Sequence, residues 1–149
     1  MKSLYDTDAY TWAMTQADAL RRRSANEIDW DNVAEEIESV GKSQASELRS
    51  RYITLLLHLL KWRFQPERRT RSWENTVRRE RREIVRHLTG NPGLKPDREE
   101  LFASAYETAR LDASTETDLP LESFPQDNPF GLDQAMDEGF WPDAKDDAN

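Results

Sequence analysis

Gly41, Ala45, Leu48, Tyr52, Leu55, Leu59 and Trp62 follow one another at spacings of 4, 3, 4, 3, 4 and 3, the period with which a helix presents a seam to other helices. Upstream, Trp30, Val33, Ile37 and Val40 are spaced 3, 4 and 3, and at about 100° per residue the two sets nearly align with a slow drift. One long helix is therefore expected from Asp29 or Asp31 to Gln65, with Gly41 as the place for a bend and Pro66 as its stop. Ile53, Leu57, Leu60 and Phe64 make a second apolar face opposite the seam. A helix apolar on two sides must be central to a bundle or lie between the bundle and another subunit.

The remaining chain before Asp118 also repeats at helical spacing, so the fold class expected is all-α, a bundle of about four helices. The first helix begins after Asp6 or Thr7, with Tyr5, Ala9, Trp12, Ala13 and Leu20 near one face, and ends near Ser24. Another spans Ser72 to Thr89, with Trp73, Val77, Ile84 and Leu88 inward and Gly90, Asn91 and Pro92 as stop signals. Asp97, three residues before Glu100, reads as the N-cap of a fourth helix, whose inner face is Phe102, Ala105, Tyr106, Ala109 and Ala113. Beyond Asp118, prolines and glycines forbid a long helix, yet Leu119, Phe124, Phe130, Phe140 and Trp141 are too apolar for a free tail. This segment reads as an extended strap pinned onto the bundle, with one helical turn near Asp133 to Asp137. Residues 1–142 are expected to form a single helical domain and 143–149 a flexible acidic tail.

Charged residues are 34% of the 149 and hydrophobic ones 36%, and no run nears the roughly 18 apolar residues of a spanning helix, so no membrane partner is expected. Residues 1–10 have no apolar core of signal-peptide length, and a cytoplasmic location is the expectation. Without cysteine the chain can form neither a disulfide nor a thiolate zinc site. The net charge of −8 is unevenly spread: residues 49–86 carry 12 basic and 4 acidic side chains, while 97–149 carry 3 basic and 15 acidic. Such asymmetry means either an anionic ligand or one part of the chain neutralising another.

The cationic stretch has a face. With Trp73 at zero, the apolar side chains span roughly 0 to 60°, while Arg71, Arg78, Arg82 and Arg86 fall at roughly 140 to 220°. With Arg68 and Arg69 they are candidate anion-binding residues, since guanidinium groups grip phosphate well. The competing reading is a solvated face, or one covered by the acidic strap. A pI near 4.9 makes nucleic acid the less favoured partner. Glu80 and His87 fall within about 40° of Trp73, on the inward side, where a polar group needs a partner. His58, on the edge of the central helix, is the third buried polar candidate. A metal is not assigned to these three, because a di-iron bundle wants two Glu-x-x-His pairs and the sequence has none. No cofactor and no catalytic residue is assigned either. Asp29, Asp31, Glu35, Glu36 and Glu38 crowd the start of the long helix, where the dipole favours carboxylates, and Trp12, Trp30, Trp62 and Trp73 fit core positions.

The segments LYDTDAYTW (Leu4 to Trp12), EEIESVGKS (Glu35 to Ser43), HLLKWRFQPERR (His58 to Arg69) and SWENTVRRERREI (Ser72 to Ile84) resemble the bacterial family catalogued as domain of unknown function twenty-nine. The likeness continues through AYETAR (Ala105 to Arg110), LPLESFP (Leu119 to Pro125) and GFWP (Gly139 to Pro142), with a departure at NPGLKP (Asn91 to Pro96), a loop. The resemblance implies a small, mainly helical bacterial protein and brings no catalytic residues. The leading expectation is a non-enzymatic bundle acting through protein contacts, with a protein partner or a homodimer suggested by the doubly apolar central helix. The rival is nucleic-acid or phosphate binding through the arginines of 68–86.

Overall fold

The computed structural model describes residues 1–143, so all of the expected tail but Asp143 lies outside the described residues. Six α-helices are found among them: α1 (Leu4–Thr7), α2 (Ala9–Arg21), α3 (Trp30–Phe64), α4 (Arg71–Gly90), α5 (Arg98–Thr117) and α6 (Leu132–Met136). The all-α class and the long central helix are as the periodicity predicts. Helix α3 runs unbroken through Gly41, which lies exposed, and a Cβ there would meet nothing within 4 Å. Packing gives the helix no reason to bend at that point.

The helix ends show where local chemistry shifts the boundaries. Ser3 and Asp6 close a separate first turn, Ser3 N donating to Asp6 Oδ2 at 3.2 Å, so the cap of α2 is Asp8, which accepts from Thr11 N at 3.0 Å. Thr70 caps α4 by accepting from Trp73 N at 3.2 Å. Asp97 does not act as the expected N-cap. The 3₁₀ turn Pro92–Asp97 runs directly into α5, leaving Asp97 in a helical conformation with no side-chain cap bond.

The chain packs as two compact units, Met1–Ser43 and Gln44–Asn149, the second described to Asp143. The amino-terminal unit is held by a polar joint. Gln16, buried on α2, donates to the Glu27 carbonyl at 3.2 Å and accepts from Asp29 N at 2.7 Å. Trp12 Nε1 donates to Asp29 Oδ2 at 3.0 Å, and Asn32 Nδ2 donates to the same oxygen at 2.8 Å. The bonds from Asn32 and then Trp12 hold the Asp29 carboxyl below its ordinary range. The Tyr5 hydroxyl donates to Glu36, and that bond raises its pKa to about 12. The inward stripe of α2 is thus Trp12, Gln16 and Ala19, whereas Ala9, Ala13 and Leu20, expected on the inner face, are exposed. Trp30, expected in a core position, is 59% exposed.

In the second unit α4 returns antiparallel to α3. Lys61 Nζ sits 4.6 Å from the Trp73 ring centre near one end, and His87 Nε2 meets the Gln44 carbonyl at 2.8 Å near the other. Helix α5 runs parallel to α3, Arg49 bonding Ser104 and Thr108 while Lys61 lies 3.9 Å from Glu116. Leu48, Tyr52, Leu55 and Leu59 of the seam are buried, and so are Leu57 and Leu60 of the opposite face. The chain supplies both covers: Phe102 stands edge-on to Tyr52 at 5.3 Å, and Phe124 of the strap edge-on to Phe64 at 5.3 Å. The doubly apolar stretch is therefore enclosed by its own unit. Leu59, fully buried, and Leu111, 51% exposed, make a direct comparison: urea unfolding should show Leu59→Ala destabilised by about 2–5 kcal/mol and Leu111→Ala changed by no more than about 0.5 kcal/mol.

Candidate interaction surfaces

Arg71, Arg78, Arg82 and Arg86 lie exposed on α4, but the arginines of 68–86 are not equally free. Arg69 Nε donates to the Trp62 carbonyl at 2.8 Å and its Nη2 to the Pro142 carbonyl at 3.3 Å, with the guanidinium 4.8 Å from the Trp62 ring centre. Arg78 makes a 2.8 Å ion pair with Glu74 and lies 5.4 Å from the ring centre of Trp141. Arg86 lies 3.6 Å from Glu83. Only Arg68, Arg71 and Arg82 are exposed with no ion pair among the described residues.

The residue that sequence reasoning passed over is Arg81. It is 2% exposed, and its guanidinium donates to the carbonyls of Ala135 at 2.8 Å, Glu138 at 3.5 Å and Phe140 at 2.7 Å. Desolvation lowers its pKa most, Arg78 adds to the fall, and Asp137 and Glu138 oppose it, yet a guanidinium stays charged in a protein. At roughly 80° from Trp73 it borders the apolar arc and not the outward stripe, which is the one signal available in the sequence. The strap is fixed elsewhere in the same way: Arg110 Nε donates to the Phe124 carbonyl at 3.1 Å, and the Tyr106 hydroxyl to the Pro125 carbonyl. No ion pair joins a strap carboxylate to an α4 arginine among the described residues. The strap meets the arginines with its backbone carbonyls and the Trp141 ring, not with its carboxylates.

Glu80, His87 and His58 do not converge. Glu80, 6% exposed, accepts from Arg51 Nη1 at 3.2 Å. Arg51 also reaches Glu47 at 3.3 Å, and Glu47 lies 3.5 Å from His87 Nδ1. This polar ladder, with Glu47 and Arg51 on α3 and Glu80 and His87 on α4, sets the register of the two helices. It borders a cleft of about 240 Å³ shared with Glu83, Arg86 and Asn91. His58 stands apart, its Nδ1 on the Thr54 carbonyl of its own helix at 2.9 Å, and burial pushes its pKa down. No three His, Asp or Glu side chains gather as metal ligands would among the described residues.

An open apolar groove lies in the amino-terminal unit. Ala13, Ala17 and Leu20 of α2 face Val33, Ile37 and Val40 of α3 across a groove of about 230 Å³. Ile37 is 67% exposed, Val40 63% and Leu20 42%. Sequence periodicity placed Val33, Ile37 and Val40 on an inward stripe, and the unit has no element to cover them. No helix among the described residues is long and apolar enough to cross a membrane.

The role of Arg81 is open to direct test. Arg81→Ala leaves three carbonyls without their donor and should cost about 3 kcal/mol or more. Arg82→Ala, one residue on and exposed, should stay within about 0.5 kcal/mol. Limited proteolysis between residues 125 and 142 should quicken in the first variant only. Equal stability of the two would refute the carbonyl clamp.

Comparison with known proteins adds a family. Over residues 4–141 the sequence matches the one described as Domain of unknown function DUF29. No curated protein and no solved structure gives a significant match. Covering nearly the whole chain, the match shows that this protein belongs to the DUF29 family.

Proposed function

We propose that this chain is a non-enzymatic helical protein that acts through protein contacts made by the groove between α2 and α3. The carrying observation is the contrast in burial: Leu55, Leu56, Leu59 and Leu60 are fully enclosed, while Ile37 and Val40 on the same helix are about two-thirds exposed. Apolar surface gathered in a groove favours a protein cover, because burying it releases roughly 25 cal/mol per Å². A photo-crosslinking phenylalanine analogue at position 37, in cells producing the full chain, should give protein adducts. The same analogue at position 85, where Val85 is 57% exposed on α4, should give few. Equal adducts, or none at 37, would count against the reading.

A second reading, binding of nucleic acid or phosphate, keeps support from the exposed, unpaired Arg68, Arg71 and Arg82. The acidic balance of the chain opposes it. A duplex bound at 50 mM salt should be released steeply as salt rises, and Arg71→Ala with Arg82→Ala should flatten the salt slope by about two phosphate contacts. Absence of binding at low salt removes this reading.

A further inference from the structure

We propose that the occupant of the α2/α3 groove is the same groove of a second copy of this chain, so that two amino-terminal units close on each other as one four-helix core. The inference rests on the docking role proposed above and names the partner.

Three observations support self-association. The first is the poverty of the unit's own core: of residues 1–43, the buried side chains are Trp12, Gln16 and Ala19. Units this small seldom hold together on a core of their own, and a cover needed for every folded chain is most simply another chain of the same kind. The second is that the two walls carry one spacing. Ala13, Ala17 and Leu20 on α2, and Val33, Ile37 and Val40 on α3, each run 4 then 3, the interval of helices packed side by side. One wall has two alanines before its leucine and the other has β-branched residues, so a copy turned about a two-fold axis can set Ile37 and Val40 against the partner's Ala13 and Ala17. This is the isologous arrangement of a symmetric dimer.

The third observation is area. The exposed patch of Leu20, Ile37 and Val40, at 42%, 67% and 63% exposure, with the exposed Ala13 beside it, is roughly several hundred Å² per copy, on the order of the ~800 Å² that each partner gives to a stable interface.

Sedimentation velocity of the purified full chain should give twice 17.4 kDa at micromolar concentration. Ile37→Glu or Val40→Glu, which buries a charge in the interface, should weaken self-association about a hundredfold. Val85→Glu on the other unit should leave the mass unchanged. Near-UV circular dichroism, which sums the tyrosines and tryptophans of both units, should be kept in all three variants, which separates lost association from lost fold. A chain that is monomeric at 100 µM, or a dimer indifferent to both glutamates, overturns the inference. If that monomer still gives adducts to another protein from position 37, the docking role stands and only self-association falls; if it gives none, both fall.

Discussion

Backbone carbonyls outside helices and sheets need donors, and in this protein arginine side chains supply them. From Leu119 to Pro142 the chain forms a 3₁₀ turn and the five residues of α6, yet its Phe124, Phe130, Leu132 and Ala135 are buried. An apolar segment with so little regular structure can be buried only if something satisfies the carbonyls that come with it. Arg81 reaches three at once, Arg69 takes Pro142 and Arg110 takes Phe124. The planar fork suits this work better than an ammonium group, because it spreads donors over several directions without the strong hydration of a point charge. Trp141 then lies between Trp62, at 4.6 Å, and the guanidinium groups of Arg78 and Arg81, each at 5.4 Å. The cationic middle of the sequence is thereby partly consumed inside the fold, which leaves Arg68, Arg71 and Arg82 as the arginines of 68–86 that stay exposed with no ion pair among the described residues.

Periodicity made the helices legible. The 4-3 spacing of residues 41–62 identifies the central helix, and its second face foretells that it is surrounded. The proline and glycine pattern after Asp118, with aromatic residues between, identifies the strap. These features are visible because each depends on the chain's local geometry. The partners of the strap are not visible in the same way. Arg81 and Arg82 are neighbours with opposite roles, one deeply buried and one exposed, separated only by the 100° turn of the helix. A carbonyl acceptor belongs to every residue and carries no sequence signature, so nothing in the strap announces that it needs Arg81. The ladder of Glu47, Arg51, Glu80 and His87 is half legible: the inward angle marks Glu80 and His87 as needing partners, but which residues of α3 answer them is set by tertiary register.

Trp30 and Asp97 show the limits of local rules from two sides. Trp30 lies on the stripe with Val33 and Ile37, and a stripe implies burial only where another element arrives to cover it. Asp97 has the spacing of a capping box, but the 3₁₀ turn before it already delivers the chain in helical conformation, so its side chain is not used. In both cases the pattern is real and its usual consequence is absent, because the deciding partner is a neighbouring segment and not the residue itself.

The two units are stabilised by different kinds of interaction, and that difference bears on function. The second has a contiguous core of leucines and aromatics whose worth scales with area removed from water. The first is organised around Gln16 and Asp29, whose hydrogen bonds fix the path of the turn precisely but contribute on the order of 1 kcal/mol each once water's competition is counted. Polar joints give direction more than cohesion. A unit that is well specified and weakly cohesive, with its apolar stripe facing outward, gains most from being covered, since association then supplies the hydrophobic burial its own length cannot. By mass action such cover stabilises the folded unit in proportion to the logarithm of partner concentration. Were a partner to cover this stripe, its docking and the folding of the amino-terminal unit would be one equilibrium, whereas the core of the second unit is already enclosed by its own residues.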